Sequence, residues 1–280
     1  MNTWDCTIIR QDGTEYPLED AGIIVTGFIV DAPTPITTKE NIEGRNGFVD
    51  EGTVYDGRTL HLTIVTKPVD RPDVMLFRNQ VFRIFDSRDY FYLINAGEPG
   101  KRWHVKYDST FSLQQFVQSA KEETGNIDLV SDQPCAESIS STGVDPPNMD
   151  SDGYQIVDGG LPLGEDIAYS QSVNEFNIFN AGDMEVDPRE RYLLIQFQGA
   201  SNGLTITNRT NGDIFKFNGT TGSGDTLTIN QTIVELNGSD VFGQTNYGLI
   251  RLEPGNNDIV VSGTIGAFTI VFDFHFPYLY

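Results

Sequence analysis

The chain has 280 residues, long enough for two ordinary domains or one large β domain, each with a sizeable core. Hydrophobic residues make up 38% and aromatic residues 11%, which excludes a disordered chain. Eighteen basic residues against 40 acidic ones give a formal charge of −22. Such a surface repels duplex DNA and anionic lipid headgroups, which are held chiefly by Lys and Arg.

The opening stretch MNTWDCTIIRQDGTEY lacks the basic and apolar regions of a secretory leader. No apolar run approaches the ~18 residues that a membrane-spanning helix requires. Cys6 and Cys135 are the only cysteines and stand in separate contexts, so neither a disulfide framework nor a cysteine-rich zinc site is expected. The expectation is a soluble protein made in a reducing cytoplasm. The N-x-[ST] sequons at Asn208, Asn218, Asn230 and Asn237 then read as turn chemistry, not as glycosylation sites.

In chain order, the first clear strands are GIIVTGFIV (22–30) and RTLHLTIVT (58–66). In the second, Leu60, Leu62 and Ile64 share one face and Thr59, His61 and Thr63 the other. The intervening residues 31–57, rich in Pro, Gly and charge, are too many for a routine connection and suggest a functional loop or an extended arm. A helix follows, with Asp70 as its N-cap, Pro72 and Asp73 in the first turn, and Val74, Phe77, Val81 and Ile84 at helical spacing. YFYLINA (90–96) and KRWHVKY (101–107), divided by Gly97-Glu-Pro-Gly100, read as a hairpin. Residues 111–120 fit a helix through Leu113, Phe116, Val117 and Ala120, and equally a strand through Phe111, Leu113 and Val117.

Composition then shifts. From residue 122 to 188 there is no Lys, Arg or His, against 15 Asp or Glu, and a Pro/Gly/Ser/Asp-rich stretch places a domain boundary near residue 140. The expected domains are residues 1–140 and 141–280. From residue 190 the pattern is all β. Leu193, Ile195 and Phe197 alternate, as do Leu204 with Ile206, Phe215 with Phe217, and Leu227 with Ile229. In the last run Phe268, Ile270, Phe272, Phe274 and Phe276 point one way. Punctuation by Asn-Gly, Asn-Asn and Gly-Ser-Gly suggests an antiparallel sandwich.

No motif for catalysis survives its context. Gly199-Ala-Ser201-Asn-Gly203 satisfies G-x-S-x-G, yet a strand follows where a nucleophile elbow needs a helix, and only His275 lies downstream as a base. The stretch reads as a turn at a hairpin corner. The Gly-Lys at 100–101 lacks the P-loop spacing, and Asn208–Asn218 lacks the terminal glutamate of an EF-hand loop. His61, His104 and His275 are widely spaced on exposed strand faces and form no ligand set. The expectation is therefore no catalytic residue, no cofactor and no bound metal. A weak calcium site among the acidic residues 145–187 is outweighed by the reading of solvated loop carboxylates.

The order of elements resembles the distal tail protein (Dit) family of long-tailed, non-contractile bacteriophages. In the N-terminal half the likeness rests on IEGRNGFVDEGTVYDGRTLHLTIVTKPVD, the subsequent helix and FYLINAGEPGKRWHVKYD. It continues through GNIDLVSDQPCAESISSTG, FNIFNAGDMEVDPRERYLLIQFQGASNGLTITN, GDTLTIN and LIRLEPGNNDIVV. The resemblance implies a mainly β protein: an N-terminal β-sandwich with one helix that assembles into a hexameric ring, and an outer galectin-like or carbohydrate-module-like sandwich. It implies a structural subunit of the virion tail tip or baseplate, not an enzyme. The ring would join the tail tube protein to a tail-associated hub protein and receptor-binding proteins and leave a channel for DNA. Segment 31–57 would be an inter-subunit belt, with Arg45 and Arg58 as charged ring contacts. The C-terminal half has no tryptophan, so the likeness does not carry sugar binding with it. The alternative is a soluble lectin-like carbohydrate-binding protein, and a hydrolase using Ser201 is more remote.

Overall fold

The computed structural model describes residues 4–68, 71–114, 122–147, 153–155 and 167–280. It divides into two compact units, Met1–Ala136 and Glu137–Tyr280. The first contains β1 (Cys6–Ile9), β2 (Glu15–Pro17), β3 (Ile23–Val30), β4 (Pro35–Glu40), β5 (Val49–Tyr55), β6 (Arg58–Thr66), α1 (Arg71–Ile84), β7 (Phe91–Asn95), β8 (Lys101–Tyr107) and β9 (Glu123–Ser131). Seven of these strands run in the order β2-β1-β7-β8-β9-β6-β3, and each neighbouring pair is antiparallel.

Alternation builds this unit. On β6 Leu60, Leu62 and Ile64 are buried, and on β9 Ile127 and Leu129, while the residues between them reach the surface. Each buried aliphatic side chain contributes roughly 2 kcal/mol. Helix α1 places Val74, Val81 and Ile84 inward, with Asp73 in its first turn and Arg83 in its last, both signs matched to the helix dipole. Phe77 is only half-buried, and Met75, Leu76 and Phe82 are exposed. The Asp70 cap lies outside the described residues. Of the ambiguous segment 111–120, Gln114 makes an isolated antiparallel bridge to Thr124, and residues 115–120 lie outside the described residues.

The second unit follows β10 (Ala136–Ser138), which spans the division. It contains β11 (Ser170–Gln171), β12 (Glu175–Asn180), β13 (Leu193–Asn208), β14 (Asp213–Lys216), β15 (Thr220–Thr221), β16 (Thr226–Asn230), β17 (Ile233–Leu236), β18 (Ser239–Asp240), β19 (Gly255–Phe274) and β20 (Pro277–Tyr278). Strands β13 and β19 pair over most of their lengths, and the sheet order is β11-β19-β13-β16-β17-β18, with β12 on β19 and β14 and β15 on β13. All flanking pairs are antiparallel.

Two sequence expectations are corrected here. Gly199–Gly203 is not a hairpin corner: it lies inside the continuous 16-residue strand β13, where the register with β19 shifts between Gly199 and Ala200 and again between Ser201 and Thr205. The irregularity re-phases the strand. Before it the buried side chains are Leu193, Ile195 and Phe197; after it they are Leu204, Ile206 and Asn208. Strand β19 changes phase opposite, from Asn257, Ile259 and Val261 to Phe268, Ile270, Phe272 and Phe274. Both halves of the two strands line one hydrophobic core.

The second correction concerns Asn256-Asn257, read as punctuation. These residues pair with Phe179 and Ile178 inside the sheet. A turn-forming dipeptide is held in a strand because tertiary hydrogen bonds to Asn257 outweigh its local preference. Strand β19 also ends at Phe274, so His275 lies just beyond it, with Nδ1 3.1 Å from the Ser140 carbonyl oxygen.

Candidate assembly interface

Strands β4 and β5 form a sheet of their own, a two-stranded antiparallel ribbon spanning the arm expected between residues 31 and 57. β-Branched residues favour the extended form, and Thr37 and Thr53 share a hydroxyl hydrogen bond of 2.9 Å across the ribbon. Ile36 pairs with Val54 and Pro35 with Tyr55. At the tip, the Lys39 ammonium sits 4.6 Å from the centre of the Phe48 ring. Ile36 is 46% exposed, Val54 65%, Ile42 47% and Phe48 48%, and no residue of either strand is buried. Isolated hairpins are marginal in water. Contiguous exposed apolar side chains on such an element mark an interaction surface.

The root of the ribbon is built differently. The Asp31 amide donates to the Thr59 carbonyl at 3.0 Å, and the Asp56 amide to the Thr34 carbonyl at 3.0 Å. The Arg58 guanidinium donates through Nε to the Asp31 carbonyl at 2.6 Å and through Nη1 to the Pro134 carbonyl at 3.3 Å, and lies 5.2 Å from the centre of the Trp103 ring. A Cβ on Gly57 would stand 2.4 Å from the Ser131 carbonyl oxygen, so only glycine lets the chain return this close to β9. His61 bridges two carboxylates at the same place. Its Nδ1 is 2.6 Å from Asp128 Oδ1 and its Nε2 3.2 Å from Asp31 Oδ2. The Asp128 hydrogen bond, with help from Asp31, holds the imidazole above its ordinary pKa.

The two arginines singled out by the resemblance thus occupy opposite ends of the arm. Arg45 is exposed in the tip, its amide bonded to the Ile42 carbonyl at 3.1 Å. Arg58 ties the root to its own chain. Sequence reasoning missed the Asp31–His61–Asp128 bridge, because Asp128 lies 67 residues along the chain from His61. The Ile36–Val54 pair was missed because alternation in a ribbon exposed on both faces has no core to announce it.

The discarded motifs are accounted for by their contacts. Ser201 is buried, and its hydroxyl pairs with that of Thr221 at 2.8 Å inside the sheet. Burial pushes the Cys6 thiol up to about 12, far from a thiolate at neutral pH. Among the described residues no group of three His, Cys, Asp or Glu is arranged to hold a metal ion. In the second unit Tyr247 is 63% exposed at φ +59°, its ring edge-to-face with that of Phe242 at 5.1 Å. That is an aromatic surface point held in a conformation a tyrosine rarely adopts.

Comparison with known proteins gives this architecture its class. Residues 11–130 match the family of the phage tail protein RIFT-related domain, which covers most of the first unit and the whole ribbon. Among curated proteins no sequence matches the chain. The crystal structure of the SPP1 Dit protein, described as a paradigm of the hub adsorption apparatus in Gram-positive-infecting phages, superimposes with a TM-score of 0.68 at 13% identity. That match covers 97% of this chain and 99% of the other. Chains of the phage P2 baseplate, in its activated conformation with calcium or strontium, give TM-scores of 0.48 and 0.46 at 8% identity, too distant to carry an argument. The class these comparisons define is that of a chain whose residues 11–130 match a phage tail protein domain and which as a whole shares the fold of the SPP1 Dit protein.

Proposed function

We propose that the chain is a structural hub subunit of a phage tail tip: six copies close into a ring that joins the tail tube to the adsorption proteins and leaves a channel for DNA. The observation that carries this reading is the exposed ribbon of residues 35–55, an element with apolar side chains that its own unit leaves uncovered. In a closed ring the ribbon of one subunit lies on the next, which supplies the packing that a lone hairpin lacks. Arg45 at its tip is the proposed charged contact, while Arg58 fixes the arm's departure from the sheet and acts on the interface from its own side.

The second unit forms the outer face, where receptor-binding or other baseplate proteins dock. It carries five Lys or Arg against 19 Asp or Glu. In the proposed ring, carboxylates lining the channel keep exiting DNA from adhering to the wall. The subunit is a virion component made in the host cytoplasm.

The test is light scattering over a range of concentrations followed by negative-stain imaging. The expected particle is a six-fold ring of about 190 kDa with an open centre, six chains of 31.1 kDa each. Its size should not change in EDTA. A monomer at every concentration that binds cell-wall polysaccharide only with calcium would replace this reading with the lectin-like one.

A further inference from the structure

The arm's root holds an arrangement that works in only one protonation state. Both nitrogens of His61 face carboxylate oxygens, Nδ1 toward Asp128 of β9 and Nε2 toward Asp31, the first residue after β3. Carboxylates only accept hydrogen bonds at neutral pH, and a neutral imidazole has one N–H to give. The two contacts are satisfied together only by the imidazolium. We propose that His61 is a protonation-controlled clamp on the arm: charged, it ties Asp31 to β9 and fixes the direction in which the ribbon leaves the sheet; neutral, it releases one of the two carboxylates and loosens the root.

The surroundings leave His61 as the titrating group. On its own strand its face continues through Thr59 and Thr63. Across β3 it pairs with Ile29, and on β9 Asp128 is flanked by Asn126 and Val130. Asp31 and Asp128 are the charged groups facing it among the described residues. Lys106, opposite Val130 on β8, has its ammonium 4.6 Å from the centre of the Tyr90 ring. Arg58, the other side chain holding the root, stays charged throughout the physiological range. The His61 pKa is raised in the folded chain. The clamp is therefore closed at and below the ordinary histidine pKa of about 6.5 and opens as pH rises through the higher folded value. Its consequence for ring assembly rests on the arm being the inter-subunit contact; the clamp itself does not.

The test is a nitroxide label at the ribbon tip, on Asn46→Cys, with Cys6 and Cys135 both buried. Spectra are recorded at pH 5.5 and 8.5 under dilute conditions, in the otherwise native chain and with His61→Gln or Asp128→Asn added. The expected result is a more immobilised label at pH 5.5 than at 8.5 in the native background. Both variants should give the mobile spectrum at both pH values. A native spectrum unchanged by pH, or a pH response that survives His61→Gln, overturns the clamp. The label reports on one chain, so failure of the protein to form rings counts only against the assembly reading.

Discussion

Asn257 is completely buried in β19, and its amide satisfies the backbone on several sides. Nδ2 donates to the carbonyls of Glu253, Gly255 and Ile178, while Oδ1 accepts from the Glu253 amide and from Asn208 Nδ2. Asn257→Ala removes all of these and leaves buried backbone groups without partners, so it should cost about 3 kcal/mol, read by urea unfolding. Gly263 is constrained by geometry: at φ +81° a Cβ would lie 2.6 Å from the Gly203 carbonyl oxygen, across the bend between β13 and β19. Gly263→Ala should lose about 2 kcal/mol and broaden the unfolding transition of the second unit, whereas Gly224→Ala, with open space around it, should be nearly neutral. Asp187 is buried, and hydrogen bonds from the Arg189 side chain hold its carboxyl below the usual carboxylate range. Because its folded pKa is depressed, its stabilisation is present above the unfolded value of about 3.9 and is lost as pH falls through the folded one. Asp187→Asn should therefore weaken the protein more at pH 7 than at pH 3 in paired denaturant titrations.

At the scale of elements, the ribbon and the body should respond oppositely to mutation. The pair Ile36→Asp and Val54→Asp places charge on exposed positions, so the thermal midpoint of the free subunit should move little. The same pair should abolish the ring, because it puts unpaired carboxylates into the proposed inter-subunit surface. Sedimentation of the double variant separates the two effects; a ring that survives it removes the ribbon from the interface. In the body, by contrast, Leu62→Ala on β6 takes a fully packed side chain from the core and should cost about 3 kcal/mol whatever the assembly state.

For the molecule as a whole the dominant quantity is charge. At −22 per chain, bringing copies together concentrates like charge, and the repulsion is relieved by salt. Formation of the proposed ring should therefore strengthen when sodium chloride is raised from about 20 mM to about 500 mM, where the Debye length falls well below 10 Å. Light scattering at fixed protein concentration measures this. Assembly that weakens with salt would instead point to attractive ion pairs, Arg45 among them, as the main source of the interface.

Much of this protein was legible before any coordinates. Period-2 alternation located β6 and β8 to the residue, because each has one face on a core and one in water. The helical spacing of Val74, Phe77, Val81 and Ile84 located α1, although Phe77 is only half-buried, and the order of loose motifs carried the resemblance to distal tail proteins. A segment of 27 residues rich in Pro, Gly and charge between two strands suggested a functional loop or an extended arm, and the structure forms a two-stranded ribbon there. What sequence could not settle was wherever local chemistry was overruled from afar. Gly199–Gly203 and Asn256-Asn257 carry turn residues, yet cross-strand hydrogen bonds draw both stretches into long strands, and a bulge decides which side chains of β13 face inward. The bridge at His61 likewise exists only because the sheet order places β9 beside β6. Local periodicity determined the elements; non-local pairing, invisible to any short window of sequence, determined their phase, their register and the charge contacts at the root of the arm.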